Sequence, residues 1–479
     1  MEVGAKKIKC RLTCWSQRIF TILQIMLFQS QKVACLVILF AMTNIEAHAQ
    51  MIVHRDPQIE QMVQAINADS LKSDIETLVG FGTRHTMSSV TDPKRGIGAA
   101  REWIISRFRD DAAHAPGKMI VELDRWTLQP DGKRVDVPVD MGNAMAILQG
   151  TDTSDKRIFI VSGHMDSRVS DVMNKTSDAP GANDDGSGTA AVIECARVMS
   201  RYRFPCTIIF VAFCGEEQGL YGSQHLAARA VQNGWEVAAV LNNDIMGSHS
   251  GIETNILENN KVRVFSEGLP AIELEKKSAS IRQYGMENDG QSRELARYVN
   301  EIAKRYVANL DAVMIYRSDR FLRGGDHTPF LEKGFPAVRI TEMNENFDHQ
   351  HQDIRTENGR EFGDLVKFMD FEYLRKNTAL NLACLANLAK SPAGPLELKI
   401  DVKNLSNTSR LTWKASKSGN VKGYYVLMRE TTSPQWQEKF FTDQTEITLP
   451  YSKDNYFFAV QSISADGNES LPIIPAIGR

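Results

Sequence analysis

Apolar residues recur along this chain with two periods. Over residues 58–80 they fall at helical steps, with Ile59, Met62, Val63 and Ile66 followed by Leu71, Ile75, Leu78 and Val79, until Gly80-Phe81-Gly82 stops the segment. Residues 96–108 repeat the helical pattern, with Ala99, Trp103, Ile104 and Phe108 on one side. Residues 135–148 alternate and then turn apolar, which predicts one or two strands. From there strand, loop and helix alternate. Strands are predicted at 157–163, 207–213, 237–242 and 336–340, and helices at 188–202, 220–233, 290–309 and 371–389. The run at 207–213 is β-branched and aromatic and lies between Pro205 and Gly215, the pattern of a strand buried on both faces of a parallel sheet. The alternation predicts an α/β domain with a largely parallel central sheet.

The pattern changes after Ser391-Pro392-Ala393-Gly394-Pro395. Leu411-Thr412-Trp413, Tyr424-Tyr425-Val426-Leu427-Met428 and Tyr456-Phe457-Phe458-Ala459-Val460 are short alternating strands between Gly, Asn and Ser turns. They predict a small all-β sandwich, and the early Trp and late Tyr-x-Phe-x-Val strand resemble a fibronectin type III module. The expected division is therefore a signal peptide at 1–49, an α/β domain at 50–390, a linker at 391–395 and a β-sandwich at 396–479.

Composition narrows the class. With 479 residues, more than one domain is expected, and an apolar fraction of 42% supports a sizeable core. A net charge of -3 argues against a nucleic-acid-binding or polybasic membrane role. Lys32, the apolar stretch Val33 to Met42 and then Ala47-His48-Ala49 read as a secretory leader, too short to span a bilayer comfortably. Periplasmic or extracellular export, with no stable membrane span after cleavage, is the expectation. Cys195, Cys206, Cys214 and Cys384 remain in the mature chain. None forms a CxxC pair, so neither a thiolate zinc site nor a redox motif is indicated, and buried thiols are expected.

The chemistry gathers where strands end. The strand at 157–163 is followed by His164-Met165-Asp166, and the next loop carries Gly181-Ala182-Asn183-Asp184-Asp185-Gly186-Ser187-Gly188. Glu216-Glu217 follow the strand at 207–213, Asn243-Asp244 the strand at 237–242, and a late loop holds Asp348-His349-Gln350-His351-Gln352-Asp353. Open α/β sheets place ligands outside the carboxyl ends of their strands, so one crevice can collect these groups. One ligand per segment gives two histidines and three carboxylates. That set suits zinc, with Mn or Co as substitutes, and exceeds one catalytic ion unless a carboxylate bridges two. Taken singly, each segment also has a structural reading: Asn183-Asp184-Asp185-Gly186 makes a good turn or helix N-cap.

In order, His164-x-Asp166, Gly181 to Gly188, Gly215-Glu216-Glu217-x-Gly219-x-x-Gly222-Ser223 and Asn243-Asp244-x-x-Gly247 resemble the signature blocks of the M28 family of zinc peptidases. The resemblance spans roughly residues 70–390. It implies a mixed, mainly parallel sheet sandwiched by helices, of the zinc-exopeptidase type. By position it also implies that His164 and Asp244 hold one zinc, that Glu217 and a late histidine hold the second, and that Asp184 bridges both. Asp166 would orient His164, Glu216 would be the general base, and the peptide after the bridging Asp is often cis in the family. The late motif departs from the family's usual form. Matching Asp353 selects His349, whereas matching Thr356-Glu357-Asn358 selects His351, which register favours. Gly324-Gly325-Asp326-His327-Thr328-Pro329 matches a pocket-lining block, which makes Asp326 and His327 substrate-pocket candidates. The implied activity is an exported two-zinc aminopeptidase acting on peptides. A carboxypeptidase or dipeptidase on the same metal site and a one-zinc, glutaminyl cyclase-like acyltransferase are the alternatives. The filled ligand positions argue against a receptor-like homologue without metals. Neither a nucleic-acid partner nor any particular partner for the β-sandwich is implied.

Overall fold

The computed structural model describes residues 54–478; the leader reading lies outside the described residues. Helix α1 (Pro57–Gln64) opens on Asp56, whose side chain accepts from the Gln58 amide, with Pro57 at the first helical position. Helix α2 (Ala68–Gly80) starts at Asn67, whose side chain accepts from the Asp69 and Ser70 amides. This cap divides what the apolar periodicity alone reads as one segment. Helix α3 (Ile97–Ala113) follows, then the antiparallel pair β1 (Met119–Leu128) and β2 (Val139–Leu148). Next come β3 (Arg157–His164), α4 (Gly186–Met199), β4 (Thr207–Phe213), the single turn α5 (Glu216–Gly219), α6 (Tyr221–Gln232) and β5 (Glu236–Asn243). Leu220 has φ +62°, which separates α5 from α6. The chain continues through β6 (Lys261–Phe265), α7 (Ala271–Tyr284), α8 (Gln291–Tyr306), β7 (Asp311–Ile315), α9 (Thr328–Glu332) and β8 (Ala337–Glu342). The small hairpin β9 (Arg355–Glu357) and β10 (Arg360–Phe362) precedes the long α10 (Phe371–Lys390).

The sheet has eight strands in the order β1-β2-β4-β3-β5-β8-β6-β7. It is mixed. β4, β3, β5 and β8 run parallel at its centre, and β6 runs antiparallel to β8. β4 shows why the centre forms. Ile208, Phe210 and Ala212 face a core shared with α1 to α4, α8 and α10, while Ile209, Val211 and Phe213 face a second core with α6 and α9. Both faces are dry, so every position from Ile208 to Phe213 is apolar. Fully burying a side chain such as Phe210 contributes about 1.5–3 kcal/mol. Strand β3 also needs small residues. A Cβ on Gly163 would lie 2.5 Å from the Gly188 carbonyl carbon, so α4 packs directly on the strand backbone.

β11 (Leu396–Asp401), β12 (Ser409–Lys414), β13 (Val421–Glu430), β14 (Glu438–Thr442), β15 (Glu446–Leu449), β16 (Tyr456–Ser464) and β17 (Ala476–Gly478) form two sheets, ordered β15-β12-β11-β17 and β14-β13-β16. Leu411, Trp413, Tyr424, Val426, Phe458 and Val460 fill the space between them. This β-sandwich rests on α8 through buried charge. Arg305 grips Glu469 with two bonds of 2.6 and 2.8 Å. Arg429 pairs with Asp289, Lys439 with Glu301, and Arg297 with Glu294, whose other oxygen accepts from Trp436 Nε1 at 2.9 Å. Asp56 accepts from Asn468 at 3.2 Å and pairs with Lys390 at 2.5 Å.

Candidate metal centre

Strand register brings the candidate groups together. His164 on β3 pairs with Phe213 on β4, and Ser162 on β3 pairs with Asn242 on β5. The parallel strands therefore end flush, with His164 at the last position of β3, Asp244 just past β5, and Glu216 and Glu217 just past β4. Gly215, at φ +81°, turns the chain so that α5 begins there. The Asp166 carboxylate accepts from the Gly215, Glu216 and Glu217 amides at 3.0, 3.2 and 3.1 Å and from Thr86 Oγ1 at 2.9 Å. It fixes the start of α5 more directly than it orients His164, whose Nδ1 lies 3.1 Å from the Asp166 carbonyl and 3.6 Å from its carboxylate.

Asp184 and Asp185, joined by a cis peptide, precede α4. The Asp185 carboxylate accepts from the Gly188 amide at 2.8 Å, the His164 amide at 2.9 Å and the Ile245 amide at 3.3 Å. One side chain thus ties the helix start to the ends of β3 and β5. Asp364, which no sequence pattern marked, holds the Asn183 and Asp184 amides at 2.9 and 2.7 Å, and burial pushes its carboxyl up to about 7. Arg84, also unmarked and fully buried, donates to the carbonyls of Met165, Pro180, Gly181 and Leu78.

The polar groups fall into two clusters, His164 with Glu216 and Asp244, and Asp184 with Glu217 and His351. Within each, one donor atom per residue lies within 4.8 Å of the others. Asp184 reaches both clusters: its Oδ1 is 3.3 Å from His164 Nε2 and its Oδ2 is 2.8 Å from His351 Nε2. His351 Nε2 is also 3.0 Å from Glu217. His349 points elsewhere and stacks on Phe368 with ring centres 3.6 Å apart. Of the two late histidines, the structure brings His351 to the cluster. Asp326 and His327, expected to line a substrate pocket, are 1% and 0% exposed, His327 Nε2 lies 2.8 Å from the Ser318 carbonyl oxygen, and neither residue lines the open space over the metal-site groups.

Electrostatics mark this cluster as incomplete. Burial, then the neighbouring Glu217 and Asp244, push the Glu216 carboxyl well above its usual range, against the pull of His164. Burial would lower His164, but Glu216, Asp166 and Asp184 hold it well above the ordinary histidine value. His164 Nε2 and Glu217 Oε1 are buried and make no hydrogen bond. A buried carboxylate set with unpartnered donor atoms, two imidazoles and no thiolate fits zinc. Two guanidiniums, unmarked by any motif, brace it. Arg168 bonds Glu217 at 2.9 Å and approaches His351 Nδ1 at 2.6 Å, and the fully buried Arg339 lies 3.0 Å from Asp244. Both depend on long-range packing, so no local signal announces them. The four cysteines among the described residues are buried and form no disulfide there, and burial pushes the Cys214 thiol up to about 12.

Comparison with known proteins agrees with this reading. The model of peptidase family M28 matches residues 143–363. A probable zinc metalloprotease of Leptosphaeria maculans is 44% identical over 424 residues, covering 88% of this chain and 98% of that protein. One of Pyricularia oryzae is 41% identical, covering 88% and 85%. The LapA aminopeptidase of Legionella pneumophila shares the fold at 19% identity, with a TM-score of 0.50 over 72% of this chain and 76% of that one. The ordered motifs, the clustered ligand types and the extent of these matches lead to one conclusion: the chain belongs to peptidase family M28 and is a hydrolase of the zinc metalloprotease class.

Proposed function

We propose that the protein is an exported aminopeptidase that uses two zinc ions to remove N-terminal residues from peptides. The observation that carries the reading is Asp184, whose two oxygens face the two histidine-containing clusters separately. His164 and Asp244 would hold one ion, Glu217 and His351 the other, and Asp184 both. Zinc bound there supplies Lewis acidity, which acidifies water and polarises a peptide carbonyl. Glu216 is the general base, its Oε taking the proton of the attacking water and returning it to the leaving amine. Asp166 keeps Glu216 in place by fixing the turn that carries it, and Arg168 orients Glu217 and His351 from behind. Among the described residues no helix is long and apolar enough to cross a membrane. Export rests on the leader pattern, so N-terminal sequencing of the mature protein should read Gln50 first.

The deciding experiment is hydrolysis of an amino-acyl anilide beside its N-acetylated form, with the zinc content measured on the same preparation. Cleavage of the free-amine substrate alone at two zincs per chain is the expected outcome. Cleavage of neither anilide, with release of the C-terminal residue from an N-acetylated dipeptide instead, would move the assignment to a carboxypeptidase, and one zinc per chain would favour the cyclase-like reading.

A further inference from the structure

A cleft of about 400 Å³ opens over the metal-site residues, with Asp184, Glu216, Glu217, Asp244 and His351 as its floor. Its rim is built from arginine. Arg134 comes from the β1–β2 loop, Arg168 from the segment after β3, and Arg320 and Arg323 from the β7–α9 loop. Two of these are committed. Arg168 is held by Glu217 and His351, and Arg320 by Glu345 at 2.6 Å and Asp319 at 3.3 Å. The other two are not. The Arg134 side chain donates to the Glu217 carbonyl at 2.8 Å, which aims its guanidinium at the floor, and it has no carboxylate partner among the described residues. Arg323 is exposed and makes no hydrogen bond or ion pair among the described residues. The carboxylates lining the cleft are those of the floor, the same groups assigned to metal and base chemistry. With those occupied, the mouth presents uncompensated positive charge over a confined, partly apolar wall, where fields are focused. Guanidinium forks suit a planar carboxylate in particular.

We propose that the cleft selects peptides bearing a carboxylate next to the scissile bond, held by Arg134 and Arg323. The proposal rests on the peptidase reading above and narrows its substrate class. The carboxylate can belong to an acidic side chain or to the free C-terminus of a short peptide, and the cleft volume suits either.

Three probes separate these sources: glutamyl-alaninamide, glutaminyl-alanine and glutaminyl-alaninamide. Binding is measured by calorimetry on zinc-loaded Glu216→Gln protein, where turnover does not interfere, and kcat/KM is measured on the wild type. One of the two acidic probes should bind about 10-fold more tightly than the neutral one, the size of a charge-assisted contact. The probe that does so identifies the side-chain or terminal source. Arg134→Gln with Arg323→Gln should bring the ratio near one in both assays. Equal binding of the three probes, or a preference that survives both substitutions, overturns the proposal. A binding preference without turnover of any probe keeps it and removes the peptidase reading instead.

Discussion

Two regions of this molecule bury charge densely, and they do so in opposite ways. At the seam between α8 and the β-sandwich, Asp289, Glu294, Glu301 and Glu469 meet Arg297, Arg305, Arg429 and Lys439. Acid and base are matched, and the pairs hold each other. At the carboxyl ends of β3, β4 and β5, the buried carboxylates of Asp166, Asp184, Asp185, Glu217 and Asp244 and the half-buried Glu216 converge, with Arg168 and Arg339 paired to two of them. Matched buried charge closes an interface, whereas surplus buried charge of one sign needs a partner from outside the chain. The imbalance, more than the number of charged groups, distinguishes a site from a seam.

The largest effect that separates the two regions is expected at Asp184. Asp184→Ala removes the group that faces both clusters, and the zinc-to-protein ratio should fall with activity below detection; a variant that keeps its full metal content would reject the bridging role. Next comes Glu216→Gln, which should lower kcat by about 10³-fold while metal content stays at the wild-type value. Turnover near the wild-type rate would return Glu216 to the set of plain ligands. At the seam the loss should be of stability instead. Arg305→Ala strands Glu469 without its main partner and should cost about 3 kcal/mol, seen as a lower thermal midpoint with kcat retained at low temperature. An unshifted midpoint would mean that the seam is solvated.

The smallest expected effect is a pH dependence at Glu301. Burial would raise this carboxyl, but Lys439 and Arg305 hold it below its usual value of 4.5. The unfolded chain then takes up its proton first, so this group's contribution is complete above about pH 5 and is lost as pH falls through the lower folded value. Glu301→Gln should flatten the acid limb of a midpoint-versus-pH curve relative to wild type, and a parallel curve would assign the acid loss elsewhere.

The same contrast explains what the sequence makes legible. β4 is readable to its boundaries because both faces are dry and Pro205 and Gly215 bracket it. β1 is not, because Glu122, Asp124 and Arg125 lie on a half-buried edge where alternation is weak. β6 and β7 are five-residue strands with polar positions, and α7 is polar along most of its length, so their places depend on neighbours that no local window contains. The candidate ligands fall in short ordered motifs at strand ends and can be found one by one. Arg84, Arg168, Arg339 and Asp364 cannot, since each acts across a long loop closure on a residue remote in sequence. The seam is illegible for the same reason: the pattern at 290–309 predicts a helix, but the residues that meet the charges of α8 lie more than a hundred positions away in the β-sandwich.

Asp166, Asp185, Asp364 and Arg84 hydrogen-bond mainly to backbone atoms of the loops that bear the candidate ligands. The loops bearing the ligands therefore keep their shape through bonds within the chain. Loading and stripping of metal are then expected to be exchange reactions of an already folded molecule, in contrast to small domains that fold around their zinc. Which ion the protein carries, zinc or the manganese and cobalt that the same donor set admits, becomes a matter of supply and affinity at equilibrium rather than of what was present while the chain folded.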